Sequence, residues 1–156
     1  MSDATLAAIL STLAKWSEQS FEPSDFDKRL RIQKSIYLLK AQGYGPASKY
    51  SFGSYLRGPY SPDLARDYYK LQPGAVAQAP QAEMPRKALS LLVDALKRGN
   101  DFLETAATIR LYSERNRGSK KAEILEHVRY QKPALDPRLE EAWEFLEKYG
   151  LLPGYM

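Results

Sequence analysis

A helix that sets polar groups into its own apolar face dictates more about this chain than any other stretch. It is Arg31-Ile32-Gln33-Lys34-Ser35-Ile36-Tyr37-Leu38-Leu39, followed further on by Tyr55-Leu56-Arg57-Gly58-Pro59-Tyr60-Ser61-Pro62. At about 100° per residue, Phe26, Leu30, Ile32, Ile36, Tyr37 and Leu39 define a broad apolar arc. Asp25, Arg29 and Gln33 fall inside that arc as a polar stripe. A buried polar group without a partner costs ~1–3 kcal/mol, so the stripe must bond to something specific. One reading is an internal brace, with Asp25 on Arg29 and Gln33 on the backbone of the Gly58-Pro59 turn. The other is a polar pocket floor or partner site.

The elements around this helix follow from periodicity and punctuation. Leu6, Ile9, Leu10, Leu13 and Trp16 recur at helical spacing and predict a first helix over 5–17. Ser24 or Asp25 caps the second, which runs over 25–42 and stops at Gly43. Residues 49–57 are rich in β-formers and predict a strand, broken by Gly58-Pro59. Ser61, Pro62 and Asp63 then give a cap, a first-turn proline and a first-turn acid, so a third helix starts there with Leu64, Tyr68 and Leu71 inward. Residues 72–83 carry Pro, Ala, Gln and Gly without period and read as a linker or mobile loop. Three or four further helices are predicted over 85–98, 101–114, 119–130 and 136–149, the last opened by Asp136 and Pro137 and closed by Gly150.

The fold class is therefore mainly α: a compact helical domain with a short β-hairpin-like element and a winged-helix-like C-terminal half. The 156 residues make one domain, and a 73–83 loop would divide it into lobes 1–72 and 84–156. There is no cysteine, which excludes thiolate catalysis, cysteine-built zinc sites and disulfides. The first residues lack a basic leader, and no apolar run approaches the ~20 residues that span a bilayer, so a cytoplasmic protein is expected. Net charge is +4 and spread along the chain, which permits nucleic-acid contact without demanding it.

Catalytic signatures are missing. His127 is the only histidine and has no metal-ligand companion in sequence, so neither a metal nor another cofactor is expected. No serine sits in a nucleophile elbow, and Gly43-Tyr44-Gly45-Pro46 loses an amide donor to its proline, which disqualifies it as a phosphate loop. What stands out instead is aromatic. Tyr55, Tyr60, Tyr68 and Tyr69 lie close together, and tyrosine and arginine are interface residues. Arg57, Tyr60, Tyr69 and Tyr55 are thus the candidate partner-binding group. The stripe of Asp25, Arg29 and Gln33 would otherwise make a small polar pocket, the one route to an enzyme.

From Arg110 to Lys132 there are seven basic residues against three acidic. Arg115, Arg117, Lys120 and Lys121 would serve as phosphate contacts, giving a nucleic-acid-associated regulator as the alternative function. Against it, the last helix carries Glu140, Glu141, Glu144 and Glu147 opposite its apolar face, a surface that repels phosphate.

Arg31-Ile32-Gln33-Lys34-Ser35-Ile36-Tyr37 with the downstream Gly58-Pro59 and following helix resembles the Panacea antitoxin domain and related uncharacterised phage-associated proteins, over roughly 28–71. The resemblance implies a mostly helical, non-enzymatic protein-binding regulatory module, antitoxin-like or adaptor-like. Its partner would be a toxin or a protein delivered to a protease. Two departures, Arg31 where lysine is usual and Pro59-Tyr60-Ser61 where an aliphatic residue is more common, point to a sister family.

Overall fold

A computed structural model describes residues 3–153. Among them are eight α-helices and one two-stranded antiparallel sheet. The chain is mainly helical, as its periodicity predicts. In order come α1 (Asp3–Ser17), α2 (Phe26–Gln42), β1 (Gly53–Tyr55), β2 (Gly58–Tyr60), α3 (Pro62–Tyr69) and α4 (Ala75–Gln78). Then follow α5 (Arg86–Lys97), α6 (Asn100–Arg115), α7 (Lys121–Gln131) and α8 (Leu139–Lys148), with 3-10 turns at Gly45–Ala47 and Pro133–Arg138. No described residue after Tyr60 is in a strand, so the winged outline expected of the C-terminal half has no sheet there.

α2 and α6 are the two central rods. Every residue from Ile32 to Leu39 is buried, and so is every residue from Phe102 to Ile109. A helix with partners on all sides cannot keep a polar face, which is why Gln33, Lys34, Ser35, Glu104 and Thr105 are interior. α2 starts where its cap requires: the Asp25 carboxylate accepts from the Lys28 amide at 2.9 Å. It ends at Gly43, whose φ of 101° supplies the left-handed residue that closes a helix. Phe26, assigned to the apolar arc by phase, is exposed, because the first turn of α2 projects beyond its neighbours.

α1 buries Leu6, Ile9, Leu10 and Leu13, while Trp16 is exposed. Trp16 lies about 70° from the centre of that stripe, and Ser17, nearer the centre, is buried in its place with its hydroxyl on the Leu13 carbonyl at 2.6 Å. The 72–83 stretch has local structure of its own. It contains α4, buries Val76, and is tied down by Ala82 N–H donating to Thr12 Oγ1 at 2.8 Å and Tyr44 OH donating to the Glu83 carbonyl at 2.9 Å.

The hairpin corrects the strand reading. Gly58-Pro59 does not break the strand; it is the second strand, with Tyr55 opposite Gly58 and Ser54 opposite Pro59, and the turn is Leu56-Arg57. Gly58 has φ 93°, so it supplies the left-handed residue that lets so short a turn close. Pro59 has no amide to donate, which costs nothing on an edge strand. Near the C-terminus, Asp136 and Pro137 belong to the 3-10 turn, so α8 begins at Leu139 rather than 136. Leu151 and Leu152 then turn back into the core.

Candidate functional site

α2, the hairpin and α3 enclose a cleft of about 470 Å³, a size that suits a side chain or small ligand. Its walls are aromatic: Phe26 from α2, Tyr55 and Tyr60 from the hairpin, Tyr68 and Tyr69 from α3. The Tyr55 and Tyr60 rings meet edge-to-face at 5.2 Å, and Tyr68 and Tyr69 are 5.0 Å apart. Its polar surface comes from Arg29, Gln33, Lys34 and Arg57. Among the described residues no acidic side chain lines it.

Gln33 builds the corner where β2 turns into α3. Its Nε2 donates to the Ser61 carbonyl at 3.0 Å, and its Oε1 accepts from the Ser61 amide at 2.8 Å. One side-chain amide thus pairs with both backbone groups of one residue, as a neighbouring strand would. The Ser61 hydroxyl is left to cap α3, accepting from the Leu64 amide at 3.2 Å. The expected brace exists, then, but its anchor is Ser61 rather than Gly58-Pro59. Nor does Asp25 pair with Arg29. It caps α2, its ion pair is with Lys28 at 3.7 Å, and it does not line the cleft. Arg29 is half-buried and lies over the Tyr69 ring at 5.9 Å.

Lys34, which pattern reading passes over, follows Gln33 on α2 and lines the same cleft. It is 2% exposed, and its Nζ donates to the Pro59 carbonyl at 2.7 Å. Burial drives its pKa down to about 7, since desolvation penalises the charged amine; Glu104 opposes that shift, while Arg57 and Lys132 add to it. Lysine is among the residues least often buried, so sequence reasoning assigns it to solvent by default. The contrary signal was Leu30 and Leu38, one turn to either side on the same face.

Arg57 spans the hairpin and α6. Its Nε and Nη2 donate to Glu104 Oε1 at 3.0 and 2.8 Å, and its guanidinium lies over the Phe26 ring at 5.3 Å. The hairpin itself sits hard against α6: a Cβ on Gly58 would fall 2.5 Å from Thr108 Oγ1.

The cleft therefore gathers Arg57, Tyr60, Tyr69 and Tyr55 with Arg29 and Gln33, and excludes Asp25. The basic run lies elsewhere and is largely committed. Lys121 pairs with Glu140 at 2.8 Å, Arg129 with Glu126 and Asp136, and Arg110 with Glu114. Lys132 Nζ donates to the Tyr55 and Leu56 carbonyls. Arg115, Arg117 and Lys120 are exposed and make no ion pair among the described residues. His127 packs edge-on against Tyr112 at 4.7 Å. No helix among the described residues is long and apolar enough to cross a membrane.

No family model, curated protein or solved structure matches this chain.

Proposed function

We propose that this chain is a non-enzymatic, protein-binding regulatory module, antitoxin-like or adaptor-like, that receives its partner in the aromatic cleft between α2, the hairpin and α3. One observation carries the reading. Of the large hydrophobic side chains left exposed, Phe26, Tyr55, Leu56 and Tyr69 all border this cleft, Leu56 at 87% and Tyr69 at 63% exposure. Aromatic side chains grouped around a concavity with arginines at its edge are the composition of interface hot spots. The same region carries the resemblance to antitoxin domains.

The nucleic-acid alternative has narrower support. It rests on Arg115, Arg117 and Lys120, since their basic neighbours hold internal partners.

Leu56→Ser and Tyr69→Ala test the reading, because both side chains are exposed and their loss leaves the fold intact. Arg57→Ala is a poor probe, since it strands the buried Glu104 carboxylate. Affinity capture from the native host should recover a partner with the parent and lose it with both variants, circular dichroism being unchanged. Retention of every partner by both variants would place the interface elsewhere. Salt-sensitive duplex binding lost on Lys120→Glu would favour the alternative.

A further inference from the structure

Three cations meet at the cleft, and only Arg57 holds an ion pair among the described residues. Arg29 rests on the face of Tyr69 and has no carboxylate within salt-bridge distance among them. Lys34 is buried, and an ammonium carries three N–H donors. Among the described residues its one hydrogen-bond acceptor is the Pro59 carbonyl. Taking a cation out of water without a full set of acceptors is costly, and an arriving carboxylate relieves that cost. The rest of the cleft is ring and aliphatic surface with no acid in it. The cations sit within one concavity instead of forming a track along a surface, which suits one carboxylate better than a polyanion.

We infer that the cleft recognises an acidic segment of a protein partner, one glutamate carboxylate meeting Lys34 and Arg29 while an adjacent apolar side chain packs among Tyr55, Tyr60 and Tyr69. The inference rests on the reading of this cleft as a protein interface and names the chemistry of its occupant. Gln33 holds Ser61 in place, so the α2–α3 wall is preformed, and Arg57 is held out of competition by Glu104. The lowered pKa of Lys34 adds a signature. Glu104 on α6, Arg57 in the hairpin and Lys132 after α7 act on its charge, and Arg29 on α2, Tyr55 and Tyr60 in the hairpin and Tyr68 and Tyr69 on α3 line the same cleft. A carboxylate bound beside Lys34 favours its protonated form, so binding should take up a proton above neutral pH and weaken as pH rises.

The test uses blocked peptides alternating glutamate with leucine, their glutamine counterparts, and a short oligothymidylate, titrated against the full chain by fluorescence anisotropy. The glutamate peptide should bind about tenfold tighter than the glutamine peptide near pH 6, and that ratio should shrink by pH 9. Lys34→Met should lower the ratio and flatten its pH dependence. Arg29→Met, at a half-buried site that leaves the fold intact, should lower the ratio at both pH values. Equal binding of the two peptides, no binding of either, a ratio unmoved in both variants, or displacement of the peptide by the oligonucleotide at lower concentration would each overturn the inference. If Leu56→Ser and Tyr69→Ala still lose the native partner while no glutamate preference exists, the interface stands and its acidic occupant is discarded.

Discussion

Lys34 and Gln33 are neighbours in one buried turn and act in opposite directions on stability. Gln33 bonds both backbone groups of Ser61, so Gln33→Ala leaves the buried Ser61 N–H without a partner, while the Ser61 carbonyl keeps the Ala65 amide at 3.1 Å. The expected cost is ~1–3 kcal/mol, read from denaturant unfolding. A Gln33→Ala protein as stable as the parent would show that the Ser61 amide finds its partner elsewhere. Lys34 carries a penalty when charged. Its amine titrates near 7 in the fold against an ordinary 10.5, so between those values the unfolded chain holds the proton that the native chain has released. Stability is therefore lowest below pH 7, where the full penalty applies, and rises with pH up to about 10, by on the order of 1 kcal/mol per unit. Above that range the buried phenols of Tyr37 and Tyr68, pushed up to about 12 by desolvation, reverse the trend, because the unfolded chain ionises first. Urea unfolding between pH 7 and pH 9 should show the rise in the parent and a flat line in Lys34→Met. A parallel rise in both proteins would assign the effect to another group.

At the scale of elements, legibility followed how local the determining physics is. The limits of α2 were readable because Asp25 and Gly43 are end signals that act through their own backbone. The start of α3 was readable from Ser61 and Pro62 for the same reason. The hairpin was not, because Gly58-Pro59 has two meanings. As local punctuation it stops a strand, yet on an edge the missing proline amide is harmless and the glycine closes the turn. Only the packing on α6 decides between them. That packing makes Gly58 the least replaceable residue of the hairpin, since its φ is 93° and a methyl group would meet Thr108 Oγ1 at 2.5 Å. Gly58→Ala combines left-handed strain with overpacking and should cost ~2–4 kcal/mol, with the hairpin lifting from α6. Thr108→Ala should recover part of that loss, since it removes the clashing hydroxyl. A double variant no more stable than Gly58→Ala would leave backbone strain as the whole effect. The cleft was half legible on the same terms. Its tyrosines and arginines announce an interface by composition, whereas the burial of Lys34 and Glu104 depends on α2 and α6 being covered from every side.

For the whole molecule, the decisive quantity is how the parts before and after 73–83 share their core. One continuous cluster of buried side chains draws on Leu6, Ile36 and Leu64 as well as Leu92, Phe102 and Trp143. The stretch between is fastened along α1 through Ser11 Oγ donating to the Ala79 carbonyl at 3.2 Å and through the Thr12–Ala82 bond. α2 also touches α6 directly through Tyr37, whose hydroxyl accepts from Arg110 at 3.4 Å. Separating the two parts would expose apolar surface on both, at ~25 cal/mol for each Å², with no compensating gain. The chain should therefore unfold in one cooperative step, its calorimetric enthalpy equal to the van't Hoff value. Thr12→Val should remove the acceptor from the Ala82 amide, lower stability by ~1 kcal/mol, and shift the midpoint by about 2–4 °C without splitting the transition. Hydrogen exchange at Ala82 should then quicken more than exchange in α2, which reports global opening alone. Two resolved transitions, in either protein, would mean that the parts before and after 73–83 melt independently and that the shared core is too weak to couple them.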